Sequence, residues 1–398
     1  MNSMDYLKLI NRKEHLFKED IKNINKKLNQ IVSSSKFLVI GAAGTIGQAT
    51  VKEIFKRNPL KLHAVDISEN NLVELVRNIR STYGYISGDF KTFALDCGSR
   101  EFEVLLTNEN EYDYILNLSA LKHVRSEKDP FTLMRMIDVN ILNTIKTIEI
   151  AKNINTSKYF CVSTDKASNP VNMMGASKRI MELFLMKESE NIDISTARFA
   201  NVAFSDGSLL HGFNKRFLNN QPIAAPNDVR RYFVTKQESG ELCLVSCLLG
   251  ENRDILFPKL NEELDLITFS SIAEKFLAFY GYDVYECETE EEARIRSKEL
   301  ISMKKWPCYF FKSDTTGEKD FEEFYTENEK LDLDRFINMG IVKNSHDFSN
   351  NKLNFFIREI NKIRLSESWS KKELVLLFKN ILPDFEHIEK GKNLDQKM

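Results

Sequence analysis

Six short apolar runs, at 37–40, 62–65, 92–95, 114–118, 159–162 and 194–198, alternate with stretches of helical periodicity. A strand that lies parallel to its predecessor needs a crossover, usually a helix. The alternation therefore predicts an α/β chain built on a Rossmann-type doubly wound parallel sheet. After Ala200 the alternation weakens. Helical patterns near 270–280, 290–301 and 371–381 suggest a smaller mixed C-terminal lobe, and segments within about 230–260 are expected to return to the sheet. Before Ser33, residues Leu7, Ile10, Phe17, Ile21, Ile24, Leu28 and Ile31 recur at steps of three, four or seven, the stripe of an amphipathic helix or helix pair. Packing on its own domain is the first expectation for that stripe and a subunit contact the second. Asp5, Glu14, Glu19 and Asp20 dilute the basic face that a membrane-surface helix would need.

Gly41-Ala42-Ala43-Gly44-Thr45-Ile46-Gly47 follows the first run directly and opens a helix. Gly41 permits a tight turn, Gly44 lets backbone N–H groups approach a pyrophosphate, and Gly47 allows close helix–strand packing. Asp66 ends the second run at the spacing where a carboxylate accepts hydrogen bonds from ribose hydroxyls, which favours NAD over NADP. The competing reading of Asp66 is a cap for the helix at Glu69. Asp96, after the third run, faces the expected adenine edge. The stretch 117–124 leaves the fourth run toward the nicotinamide ribose. It offers Ala120 and Lys122 to the cofactor, and Lys122 and His123 to a substrate. Asn140 is a candidate to fix the loop behind the site. For each of these a purely structural role stands beside the functional one, and His123 has no neighbouring Cys, His or Asp to suggest a metal. The organisation expected is 1–33 as a helical extension, 34–205 as an NAD-binding domain, and 206–398 mainly as a substrate lobe with C-terminal helices.

Thr164, Asp165 and Lys166 follow the fifth run, and Lys178 lies on the amphipathic stretch that comes next. In an open α/β sheet the crevice beyond the carboxyl ends of the strands is where ligands bind. A hydroxyl, a carboxylate and two amines are thus directed toward one crevice, whereas the bland alternative is a polar loop with a helix cap.

The 398 residues carry 56 basic and 58 acidic side chains, a balance that speaks against a general nucleic-acid or membrane-surface binder. The longest apolar run, 242–249, is far short of the ~20 residues that span a bilayer. The six cysteines form no CxxC pair and read as reduced core residues of a cytoplasmic protein. A homo-oligomer is expected from the leading helix and the exposed helices of such folds.

The glycine spacing, the order of elements and the position of Lys178 resemble the extended short-chain dehydrogenase/reductase family. Within it, Ser163-Thr164-Asp165-Lys166-Ala167, Met174-Gly175-Ala176-Ser177-Lys178 and Arg198-Phe199-Ala200-Asn201-Val202 resemble the polysaccharide-biosynthesis nucleotide-sugar dehydratases, and Gly317-Glu318-Lys319 is similar to another of their motifs. One departure matters. The family at large has Tyr-x-x-x-Lys, and here Met174, which exchanges no proton, fills the tyrosine slot. Some dehydratases of the same subfamily also carry methionine there.

The resemblance implies NAD and a UDP-sugar substrate, with UDP-N-acetylglucosamine 4,6-dehydration as the activity. The C4 hydride moves to NAD, the C5 proton is removed, water leaves from C6, and the hydride returns to C6. In this reading Lys166 is the C5 base, with a pKa lowered by nearby Lys178 and by the oxidised nicotinamide. Asp165 is the acid for the C6 hydroxyl, after first taking the O4 proton. Thr164 holds the C4 oxygen and Lys178 the nicotinamide ribose. Asn201, Arg231 and Lys259 are assigned to the nucleotide-sugar diphosphate, with surface charge as the alternative for the two cations. A nucleotide-sugar epimerase and a non-catalytic NAD-binding regulatory protein remain as other readings.

Overall fold

The computed structural model describes residues 3–261, 265–314, 321–344 and 348–387. The six apolar runs form strands β1 (Lys36–Ile40), β2 (Lys61–Asp66), β3 (Asp89–Ala94), β4 (Tyr114–Asn117), β5 (Lys158–Thr164) and β6 (Asp193–Phe199). They lie side by side in the order β3-β2-β1-β4-β5-β6, and every pairing is parallel. Asp254–Pro258 continues the sheet in parallel beside β6. Met339–Lys343 and Leu331–Asp332 then extend it antiparallel, completing nine strands.

Alternation along the central strands shows why they are apolar throughout. Phe37, Val39, Leu62, Leu116 and Phe160 join a core formed with the helices Lys18–Ser33, Thr45–Phe55 and Lys236–Leu249. Leu38, Ile40, Ile115, Tyr159 and Cys161 face the other way, toward Arg100–Asn108, Asn143–Asn153 and Met173–Glu188. Both faces are covered, so no strand position can be polar without a partner. Edge strand β3 instead carries Asp89 and Lys91, charges that discourage pairing with another chain.

The lobe beyond the strand ends is built around Phe213, Ile223, Phe276 and Trp306. Its three-stranded sheet joins Asp283–Glu286, Lys305–Phe311 and Ile223–Pro226 in parallel. The leading segment is a helix pair, Ser3–Leu9 and Lys18–Ser33, and it packs on its own chain. Leu9 and Ile10 enter the lobe core, while Phe17, Leu28 and Val32 enter the main core. Burying such side chains is worth about 1.5–3 kcal/mol each. The link between the two helices is fixed electrostatically. Arg12 pairs with buried Glu238 at 2.6 Å, and the Asp20 carboxylate accepts the backbone N–H groups of Ile337 and Asn338, each at 2.7 Å. The helices Asn350–Leu365 and Lys371–Ile381 pack against Met173–Glu188 through Phe356, Leu374 and Phe378.

Candidate active site

The turn after β1 has the form the glycine spacing requires. Gly41 sits at φ 74°, and a Cβ there would lie 2.6 Å from Ser119 N. A Cβ on Gly47 would lie 2.0 Å from the Gly41 carbonyl oxygen. Gly44 differs, because a Cβ there meets nothing nearer than 3.6 Å and its φ of −71° suits any residue. Nothing packed around it among the described residues demands that glycine. Gly44 also leaves the helix Thr45–Phe55 without a side-chain cap, whereas Ser68, Ser99, Asn172 and Thr235 cap other helices around the sheet. Uncapped N–H groups in a cradle without side chains fit an anionic group such as a dinucleotide pyrophosphate.

The neighbouring candidates frame this cradle. Asp66 accepts the Ala43 N–H on one oxygen and the Ser68 N–H on the other, each at 2.9 Å. The helix cap is Ser68 itself, so Asp66 braces the glycine turn. Thr45 Oγ1 donates to Asp206 at 2.9 Å and accepts the Asp206 N–H at 3.0 Å, and Ile46 is partly buried against the main core. Asp96 accepts the Gly98 N–H and pairs with Arg135 at 2.9 Å. Burial alone would raise its pKa, but these partners hold it below the ordinary value.

A second wall is the loop carrying Ala120, Lys122 and His123. Asn140 lies buried in a π-helical turn, Asp138–Leu142, a feature that marks functional sites in many helices. It accepts the Leu121 N–H at 2.9 Å and donates to the Leu121 carbonyl and to Ser177 Oγ. Asn140 thus reaches the site through the loop and the lysine-bearing helix. Lys122 donates to Ser205 Oγ at 3.3 Å. Burial, with Lys122 and Arg125 nearby, lowers the His123 pKa to about 4 and leaves its ring neutral near pH 7.

At the end of β5 the chain makes a single tight turn, Asp165–Ala167. Asp165 is buried, and its Oδ1 accepts Thr164 Oγ1 and Lys166 N at 2.8 Å and Lys166 Nζ at 3.1 Å. Gly175 sets how closely the following helix approaches, since a Cβ there would lie 2.4 Å from the Lys166 carbonyl oxygen. Met174 is buried in an apolar cluster with Leu133, Ile137 and Ile180. Lys178 is buried too, and donates to the Val162 carbonyl at 3.0 Å. Burial lowers its pKa.

The electrostatics of Lys166 differ from the sequence expectation. Burial alone would lower its pKa, but Asp165 and Glu322 outweigh burial and the repulsion of Arg231, and raise it. Lys166 is therefore an ammonium in this structure. Lys178 points back along the strand and does not offset the carboxylates.

Sequence reasoning missed the residues that clamp this turn. Glu322, buried, places Oε1 3.6 Å from Lys166 Nζ. Ser168 Oγ donates to the Glu323 carbonyl, and Asn169 Nδ2 to the Glu323 carboxylate at 2.8 Å. Arg198, fully buried in β6, is bidentate to both Glu182 and Glu329 and donates to the Phe324 carbonyl. Glu182 also accepts Ser163 Oγ at 2.7 Å, so the network ends beside the Asp165–Ala167 turn. A buried arginine inside an apolar strand was the available signal, because it requires carboxylates somewhere in the chain.

Of the proposed substrate contacts, Asn201 has a buried Nδ2 without a hydrogen-bond partner among the described residues, which suits a ligand oxygen. Arg231 is buried and near enough to Lys166 to oppose its charge, so it is no surface residue. Lys259 is engaged elsewhere, donating to the carbonyls of Leu333, Phe336 and Ile337. Gly317-Glu318-Lys319 lies outside the described residues.

Comparison with known proteins agrees with this architecture. The pattern of the family described as polysaccharide biosynthesis protein matches residues 37–343. An uncharacterized membrane protein of Methanocaldococcus jannaschii is 28% identical over 81% of this chain and 88% of its own length. The capsular polysaccharide biosynthesis protein CapD of Staphylococcus aureus is 26% identical over 76% of this chain and 47% of its own, so the chain spans about half of that relative. No described helix is long and apolar enough to cross a membrane. Among solved structures, Pen from Bacillus thuringiensis superposes with a TM-score of 0.64 at 19% identity, covering 88% of this chain and 98% of that one. The dTDP-glucose 4,6-dehydratase DesIV from Streptomyces venezuelae superposes with a TM-score of 0.55 at 16% identity, covering 73% and 88%. The doubly wound sheet, the glycine turn and the match across most of the sequence lead to one assignment: the chain belongs to the polysaccharide biosynthesis protein family of extended short-chain dehydrogenase/reductases.

Proposed function

We propose that the chain is a nucleotide-sugar 4,6-dehydratase that converts UDP-N-acetylglucosamine to its 4-keto-6-deoxy derivative, with NAD as resident cofactor. The observation that carries this reading is the Thr164–Asp165–Lys166 turn, with Asp165 buried, which puts a carboxylate and an amine side by side at the strand end. Elimination across C5 and C6 needs two proton carriers, whereas C4 epimerisation needs only one. The name of DesIV, solved with NAD bound, describes the same reaction class on a different nucleotide sugar.

Bound NAD would supply reversible removal of the C4 hydride and its return to C6. The uncapped N–H groups at Gly44 and Thr45 would hold its pyrophosphate, Asp66 and Asp96 its adenosine half, and Lys178 the nicotinamide ribose. Asp165 carries the O4 proton to the departing C6 hydroxyl, which leaves as water. Thr164 orients the C4 oxygen, and Lys166 handles the C5 proton. Asn201 and Arg231 bind the diphosphate through charge-assisted or otherwise unsatisfied donors. With Met174 packed among apolar side chains, the proton traffic falls to this turn.

Proton NMR of UDP-N-acetylglucosamine with enzyme and NAD, and no added reductant, tests the reading. A new C6 methyl doublet with loss of the C4 proton is the expected result, and Asp165→Asn should abolish it. A C4 epimer instead would make the protein an epimerase. An unchanged spectrum with NAD demonstrably bound would refute this substrate.

A further inference from the structure

Lys166 cannot take a proton from carbon as an ammonium, so a second acceptor must lie within its reach. Among the described residues three charged groups face it: Asp165 from its own turn, Glu322 from the covering segment, and Arg231 from the Arg230–Arg231 strand. Arg231 accepts nothing. Asp165 is committed on two counts, since its Oδ1 already accepts three donors and its carboxyl carries the O4 proton to O6. That leaves Glu322. Its segment is held on the catalytic turn by Ser168 and Asn169 through Glu323, and by Arg198 through Phe324. Buried and 3.6 Å from the ammonium, Glu322 is one short movement from hydrogen-bonding distance, and such contacts tighten when substrate binds.

We propose that Glu322 is the proton store of the site, receiving a proton from Lys166 as the lysine takes one from C5 of the sugar. The proposal deepens the dehydratase reading and rests on it. The C5–H bond breaks and an N–H bond forms, while another N–H bond of Lys166 breaks and an O–H bond forms on Glu322. The C5 electron pair moves into the C4 carbonyl as an enolate, which collapses to expel the C6 hydroxyl, protonated by Asp165. Lys166 is an ammonium before and after. Once C6 has been reduced, the same two transfers run in reverse and restore the C5 proton. Glu322 never touches the sugar. It is a positioning residue in the sense that it acts through Lys166.

The test uses the full chain with Glu322→Gln, with Glu322→Asp as the conservative variant and Glu327→Gln as an exposed carboxylate of the same segment. The first readout needs no turnover. Acylation of Lys166 by an amine-reactive ester at pH 8, mapped by peptide mass spectrometry, should be several-fold faster in Glu322→Gln, because losing one of the two carboxylates that raise the lysine's pKa frees more neutral amine. Equal labelling would overturn the charge coupling. The second readout uses UDP-N-acetylglucosamine and NAD in D2O. Glu322→Gln should still give the 340 nm absorbance of C4 oxidation but lose deuterium entry at C5 by about a hundredfold, at the lower end of general acid–base contributions. Glu322→Asp should recover part of it, and Glu327→Gln should match wild type in both readouts. Wild-type C5 exchange in Glu322→Gln would overturn the relay. If wild type yields neither absorbance nor product, the dehydratase reading fails while the labelling result stands by itself.

Discussion

Gly44 and Gly47 lie three residues apart in one turn, yet the structure assigns opposite consequences to the same added methyl. At Gly47 the Cβ would sit 2.0 Å from Gly41 O and 2.7 Å from Ala42 C, against the 3.4 Å at which ordinary contact begins. Both neighbours are backbone, so relief requires moving the helix Thr45–Phe55 off β1. Overpacking of this kind costs about 1–3 kcal/mol, and the upper end is expected here because no side chain can swing aside. At Gly44 the nearest atom is 3.6 Å away and the backbone is already extended. Alanine there restricts the unfolded chain and should stabilise the protein by about 0.4–1 kcal/mol. The same methyl fills the cradle where the uncapped N–H groups would meet a pyrophosphate, so Gly44→Ala should weaken NAD at least about tenfold, or ~1.4 kcal/mol. Urea unfolding without nucleotide gives the stabilities, and calorimetric titration with NAD gives the affinity. A Gly44→Ala protein that binds NAD like wild type would refute the cradle. A Gly47→Ala protein as stable as wild type would refute the packing argument.

Replacing Arg198 by methionine should cost about 3–5 kcal/mol in chemical denaturation, because Glu182 and Glu329 lose their buried bidentate partner while Arg179 stays beside both. A loss below about 1 kcal/mol would contradict the network. Stability should also depend on pH through Glu238. Burial would raise that carboxyl, but His15, Arg12 and the Leu16 N–H hold it down at about 2, below its ordinary 4.5. Its stabilising contribution is therefore complete above pH 4.5 and disappears as pH falls toward 2. His15, raised by the same carboxylate, contributes fully below pH 6.5 and loses its share as pH rises through its folded value. Glu238→Gln should flatten the acid limb of a stability–pH curve, and an unchanged limb would show that the N-terminal latch does not couple to folding.

The main sheet was legible because burial on both faces leaves an unmistakable mark. Residues 37–40 and 159–162 are apolar at successive positions, and a fully covered parallel strand demands that. The glycine turn was legible for a similar reason, since backbone proximity at Gly41 and Gly47 permits no other residue. Met339–Lys343 carried the same apolar signal but escaped. Its partner, Asp254–Pro258, is a long way back in the chain, and periodicity says nothing about which strands pair. The charge on Lys166 escaped too. Proximity in sequence put Lys178 beside it, but a side chain one helix turn past Met174 points into the strand rather than across the turn. The carboxylate that joins Asp165 in raising the Lys166 pKa, Glu322, comes from a stretch, 321–329, that has no period to read.

The two halves of the site therefore depend on different kinds of contact. The Asp165–Ala167 turn is local: β5, the turn and the helix Met173–Glu188 follow one another, and Gly175 lets the helix approach the Lys166 carbonyl closely. The side proposed to hold substrate is assembled from distant chain. Asn201 pairs in a two-stranded ribbon with Phe233, whose carbonyl accepts Arg12 from the N-terminal segment. Glu322 arrives from beyond residue 320 and is held by Arg198 through Phe324. Long-range contacts form only after loop closure, and they are the ones that loosen first when a clamp is removed. Changes at Arg12 or Arg198 should accordingly weaken substrate handling before they disturb the glycine turn, which is braced by Asp66 within its own βαβ unit.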